Sequence, residues 1–110
     1  MSEFTYLFRG RDLSASPEQM QKTMQKWLAW FKELQANGHL KDPGHPLEAQ
    51  GAVVRGNGII NDGPYAEAKD VINGYIIVDA KDLAEAAELA KGCPNLEIGG
   101  SVEVRPVRRM

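Results

Sequence analysis

The sequence predicts an α+β domain in which two helices cover one face of an antiparallel sheet. Three observations carry that prediction. Residues 4–9 and 101–107 alternate apolar and polar side chains, and residues 74–79 form a short apolar run, so all three read as strands. Residues 17–37 repeat apolar side chains at helical spacing, and an alanine-rich segment follows Asp82. Between the helices, Gly56-Asn57-Gly58 separates two apolar stretches and marks a hairpin.

In the first strand Phe4, Tyr6 and Phe8 share one face, and Thr5, Leu7 and Arg9 share the other. Both faces carry apolar side chains, so both are expected to be partly covered. The first helix has a strong start. Ser16 is the N-cap, Pro17 the first helical residue, and Gln19 stands where a capping box needs it. Met20, Met24, Trp27, Leu28, Phe31 and Leu34 form its apolar stripe, with Trp30 at the edge, and Asn37-Gly38 ends it. Residues 38–50 are polar and punctuated by Pro43, Gly44 and Pro46, and read as a connection. Residues 51–55 and 59–61 pair as the hairpin, and residues 63–73 form a loop before the central strand 74–79. Asp82 and Glu85 open the second helix. Its alanines 84, 86, 87 and 90 let it lie close on the sheet, and Gly92 and Pro94 end it. Pro106 points to an edge strand or to the end of the last strand.

This order is the ferredoxin-like βαββαβ plan with an added hairpin, in a single domain spanning residues 1–110. Such a sheet leaves its second face bare. A second copy of the chain is the simplest cover, giving a two-fold homodimer with the sheets face to face.

Composition narrows the function. With 110 residues, 43% apolar and 25% charged, the chain is that of one small globular domain. A net charge of −2 exerts no pull on nucleic acid or anionic membrane. The local cluster Arg105, Arg108 and Arg109 reads as a solvated tail, and strand 75–79 lacks the basic residues of an RNA-stacking surface. Nothing near the N-terminus resembles a signal peptide, and no run is long enough to span a membrane. One cysteine, Cys93, makes no internal disulfide. A cytoplasmic protein with no nucleic-acid or membrane partner is expected.

The stretch Asp62-Gly63-Pro64-Tyr65 stands out. Pro64 fixes its own φ and restricts Gly63, so Asp62 is held at a strand end with a phenol just beyond it. That stretch, continued to Lys69, resembles the D-G-P-F-x-E-x-K signature of the DGPF branch of YCII-related proteins. Gly74-Tyr75, Cys93-Pro94 and the closing residues 102–107 fit the same pattern, so the resemblance covers nearly the whole chain. It implies a dimeric α/β-barrel made of two ferredoxin-like protomers, with a pocket between sheet and helices. Relatives in that family resemble small-molecule lyases or isomerases, including a dehydrochlorinase of aromatic degradation. Others lie beside, or are fused to, alternative sigma factors. The YCII branch proper carries a His on the first helix and an Asp near its end. Those positions here are about Trp27 and Ala36, neither of which transfers a proton.

Two functions follow. One is a cofactor-free small-molecule lyase or isomerase. The other is a non-catalytic dimeric ligand-binding or regulatory module. For catalysis, His45 and Asp62 are the candidate pair, an imidazole base oriented by a carboxylate. Trp30, Tyr65 and Lys69 are the candidate ligand-binding residues. The indole would line a cavity, the phenol would anchor or donate, and the ammonium would pair with an anionic group. His39, Asp42, His45 and Asp62 match no metal-ligand spacing, so no metal site is expected. Cys93, with Lys91 as its nearest basic residue, reads as packing rather than as a nucleophile. Gly56-Asn57-Gly58 and Gly99-Gly100 lack phosphate-loop spacing.

Overall fold

The computed structural model describes residues 1–10, 16–64 and 70–110. β1 (Ser2–Arg9) lies inside a four-stranded sheet ordered β2 (Leu40–Pro46), β5 (Ile72–Ala80), β1, β6 (Ser101–Pro106). All neighbours are antiparallel. This is the ferredoxin-like strand order. The added hairpin, β3 (Gly51–Val54) and β4 (Ile60–Gly63), pairs only with itself among the described residues and forms a separate two-stranded ribbon. α1 (Pro17–Ala36) and α2 (Leu83–Ala90) lie on the same face of the four-stranded sheet, and a short 3₁₀ helix (Pro94–Ile98) follows α2.

Register explains the core. Phe4, Tyr6 and Phe8 stand opposite Val78, Ile76 and Gly74 on β5, and opposite Pro106, Val104 and Val102 on β6. Directly opposed residues share a face, so these side chains form one apolar layer. Trp30 and Leu34 of α1, Ala86 and Ala90 of α2, and Cys93 close over it. The small alanines let α2 approach until the buried Tyr6 hydroxyl donates a hydrogen bond to the Ala86 carbonyl. The Tyr6 ring also stacks on Trp30, with centroids 6.0 Å apart and planes inclined by 10°. One side chain of a central strand therefore holds both helices.

α1 starts as expected. Ser16 Oγ accepts from the Gln19 amide, and the Gln19 side chain accepts from the Ser16 amide. Its buried face is rotated from the expected one. Trp30, placed at the stripe's edge by spacing, sits at the centre of the buried face with Leu34, while Met20, Met24 and Leu28 are exposed. The apolar arc of α1 spans about 160° at about 100° per residue, wider than the sheet can cover.

β2 was expected to be a connection. It is an edge strand instead, with irregular register between Leu40 and Asp42 and between Asp42 and His45. Its exposed side chains give no alternation, and its prolines are tolerated only because an edge strand needs half its amides. Gly44 makes the pairing feasible: its φ is +56°, and a Cβ there would stand 1.8 Å from the Tyr75 carbonyl oxygen. At the opposite edge, the buried Asn95 side chain donates to the Arg9 and Ser101 carbonyls (3.1 and 2.9 Å), tying the 3₁₀ helix to β1 and β6.

The second face of the sheet carries Thr5 and Leu7 opposite Ile77 and Tyr75, rimmed by Glu3, Asp79, Arg9 and Glu103. All are half-buried. Arg9 Nε lies 2.7 Å from Glu103 Oε1, and this hydrogen bond holds the Glu103 carboxyl below its usual range.

Tyr6→Phe should lower stability by about 0.5–1.5 kcal/mol, because the hydroxyl's hydrogen bond to the Ala86 carbonyl is lost while the ring stays packed. An unchanged denaturant midpoint would show that the hydroxyl does not hold α2.

Burial pushes the Cys93 thiol up to about 12, against an opposing hydrogen bond from the Asn95 amide. An unfolded thiol titrates near about 8.5. The neutral thiol's contribution to stability is therefore complete below about pH 8.5 and is lost as pH rises toward about 12. At neutral pH a thiol reagent should modify Cys93 only as fast as the chain opens. Rapid modification of the native protein would contradict that burial.

Candidate active site on the helix side

α1, α2 and the 3₁₀ helix enclose a cleft of about 440 Å³. Two polar side chains of distinct character line it. His39 follows the Gly38 turn that ends α1, where its amide donates to the Leu34 carbonyl (2.8 Å). Its Nδ1 lies 2.8 Å from the Asp79 carbonyl oxygen. A carbonyl only accepts, so Nδ1 carries the proton. In the neutral ring, Nε2 is then the lone-pair nitrogen. The Asp79 amide in turn donates to the His39 carbonyl (2.7 Å), so backbone and ring are held by one residue of β5.

Trp30 is the second. Its indole ring is packed against Tyr6 and, edge-on, against Phe8 and Trp27. Its N–H reaches solvent and has no acceptor among the described residues. Gly92 makes room for it, since a Cβ there would stand 3.1 Å from Nε1. At the rim, Lys26 and Glu97 form an exposed ion pair across the cleft (2.8 Å), Glu88 pairs with Lys91 (2.8 Å), and Glu33 adds a further carboxylate. The local charge is negative. It favours neutral or cationic ligands over anionic ones.

The structure brings Trp30 into this cleft and leaves His45 and Asp62 elsewhere. His45 is exposed on β2, on the bare face of the sheet, with its ring 6.2 Å from that of Tyr75. Asp62 is exposed on the ribbon, opposite Ala52. No hydrogen bond or ion pair joins the two among the described residues, and neither residue lines the helix-side cleft. Tyr65 and Lys69 lie outside the described residues. A second cleft of about 560 Å³ lies beside the ribbon, bordered by Leu47, Val53, Pro64 and Ile72. The Gly63–Pro64 peptide in its border is cis. Among the described residues no three potential ligands gather as a metal site, and no helix is long and apolar enough to cross a membrane.

Sequence reasoning weighed His39 only as a metal ligand and not as a base. The available signal was its place one residue beyond a glycine helix stop and at the start of a strand. Such a position fixes a backbone firmly enough to orient a ring.

Sheet order, inserted ribbon and helix-side cleft together define a ferredoxin-like α+β domain. The family model for the YCII-related domain matches residues 4–110, and the chain belongs to that family. An uncharacterized protein of Rhizobium meliloti (strain 1021), R00369, is 40% identical over 53 residues, which is 47% of this chain and 43% of that protein. The match thus spans less than half of that relative. Among solved structures, 5-chloro-2-hydroxyhydroquinone dehydrochlorinase from Burkholderia phenoliruptrix AC1100, in complex with 2,5-dihydroxybenzoquinone, superposes with a TM-score of 0.55 at 19% identity. That alignment covers 100% of this chain and 96% of the other, and it carries the fold.

Gly92→Val should crowd the indole, shift tryptophan emission and cost about 1–3 kcal/mol by overpacking. Unchanged emission and stability would mean that the wall of the cleft at Gly92 yields freely.

Proposed function

We propose that this chain is a cofactor-free lyase or isomerase acting on a small, neutral hydroxy- or keto-substituted ring bound in the helix-side cleft. The observation that carries this reading is the imidazole of His39, oriented through Nδ1–H and left with Nε2 as its base. Nε2 takes a proton from a substrate carbon or hydroxyl. The electron pair moves toward a carbonyl oxygen, and the Trp30 N–H donates to that oxygen as charge develops. Returning the proton to another atom gives isomerisation, and expelling a leaving group gives elimination. The cleft volume is within the range of small-molecule sites. The superposed dehydrochlorinase, named for a chlorinated hydroxyhydroquinone, supports the choice of ligand class.

A second reading places the chemistry on the bare sheet face. There His45, beside Tyr75, would act with Asp62, Tyr65 and Lys69 once a second copy of the chain, sheet against sheet, excludes water. Its support is the exposed, half-apolar face itself and the absence of a partner for the Asp62 carboxylate among the described residues. The non-catalytic alternative, a ligand-binding or regulatory module, draws support from Trp27. At the position where a branch of the family carries its His, this indole packs edge-on against Phe8 with centroids 4.7 Å apart.

Titration with unchlorinated hydroxyhydroquinone, a ring that is neutral at pH 7, under nitrogen and read by tryptophan fluorescence, tests the site. Chlorinated hydroxyhydroquinones, followed by absorbance and chloride release, test turnover. Quenching in the wild type, kept in His39→Gln while turnover falls at least 100-fold, is the expected result, within the usual range for a general base of about 10²–10⁴. Turnover lost in His45→Gln but kept in His39→Gln would move the site to the sheet face. Binding with no turnover of any compound would favour the binding module.

A further inference from the structure

Among the described residues, Glu33 is the one charged side chain lining the helix-side cleft that has no partner. Lys26 is matched by Glu97, and Glu88 by Lys91. The sequence leaves Glu33 alone. Its neighbours one turn away on α1 are Ala29, Trp30, Ala36 and Asn37, and none is basic. Glu33 also stands near the C-terminal end of α1, whose last turn holds no basic residue. The helix dipole disfavours a carboxylate there. Local rules of this kind are broken chiefly where function requires it.

We propose, on the reading that this cleft binds a small oxygenated ring, that Glu33 is its specificity-determining residue: the carboxylate accepts a hydrogen bond from a ring hydroxyl para to the oxygen that meets the Trp30 N–H. Trp30 and Glu33 line the cleft from adjacent turns of α1, and side chains so spaced have Cβ atoms about 5–6 Å apart. A donor and an acceptor therefore stand side by side on one wall. The two oxygens of a para-substituted six-membered ring span a similar length, and ortho oxygens are too close together to reach both groups. Helix side chains lean toward the N-terminus, which carries the Glu33 carboxylate over Ala29 and Trp30. The methyl of Ala29, also in the lining, leaves room for the ring. Leu89, Gly92 and Pro94 supply an apolar wall for its face. An ionised carboxylate only accepts. It therefore takes a hydroxyl, turns away a carbonyl or ether oxygen presented at the same place, and repels a ring that has itself become an anion.

The test compares 4-methoxyphenol with 1,4-dimethoxybenzene. Both offer an ether oxygen to Trp30, and only the first has a hydroxyl for Glu33. Binding is read from the shift of the Trp30 indole N–H resonance, with no turnover needed. The wild type should bind 4-methoxyphenol about 10–100-fold more tightly, the usual scale of a hydrogen bond to a charged group. It should also prefer 4-methoxyphenol to 3-methoxyphenol, whose oxygens are closer together. In Glu33→Ala the preference for the hydroxyl should vanish. In Glu33→Gln, which keeps an acceptor without the charge, a smaller preference should remain. Glu33 is exposed, so neither substitution disturbs the core. Equal binding of the two compounds by the wild type, or a preference kept in Glu33→Ala, would overturn the role of Glu33 while leaving the cleft as the binding site. A preference lost in His39→Gln instead would give the hydroxyl to the imidazole and overturn it too. If neither compound moves the Trp30 resonance, the cleft is not the ring's site, and the role of Glu33 falls with it.

Discussion

Tyr6 is the constraint on which the structure depends. It stands on a central strand, fully buried, with its ring against Trp30 of α1 and its hydroxyl on the Ala86 carbonyl of α2. A buried phenol needs an acceptor. α2 presents the Ala86 carbonyl to it because the buried side chains of that helix, Ala86 and Ala90, are small enough to let it approach the sheet. Burial, with the nearby Cys93 and Glu85, drives the phenol's ionisation upward, so it remains a donor throughout the physiological range. Both helices are located by one side chain that cannot change its state.

The spacing between those helices is what creates a site. Trp30 stacks on Tyr6 of the sheet, and its Nε1 edge lies beside Gly92. The same placement of α1 sets where it ends, and so where His39 enters β2 and meets Asp79. A donor and an oriented base thus border one cleft as by-products of packing. The exposed ion pairs at its rim contribute little stability.

Covering only one face of a sheet with helices leaves much surface unmet. The bare face centred on Leu7 and Ile77, the ribbon and the outer arc of α1 are three parts of that remainder.

The local signals were legible. The capping box at Ser16, the alternation of β1, the continuous β5, the Gly56-Asn57-Gly58 hairpin and the alanine face of α2 are short-range physics, and they yielded the ferredoxin-like plan and the family. Three features were not local. β2 has no pattern of its own because its strand character comes from the edge of β5 and from Gly44's clearance of the Tyr75 carbonyl. The buried face of α1 is chosen from an apolar arc too wide to specify it, and Tyr6 makes the choice in favour of Trp30. The imidazole that sequence singled out, His45, was chosen for its neighbours in the chain, whereas His39 is distinguished by Asp79, forty residues away. The sequence by itself determined which segments become helix and strand and in what order. Only the tertiary structure decided which polar groups share a cavity, because that depends on how far apart packing sets two helices, and no single segment encodes that distance.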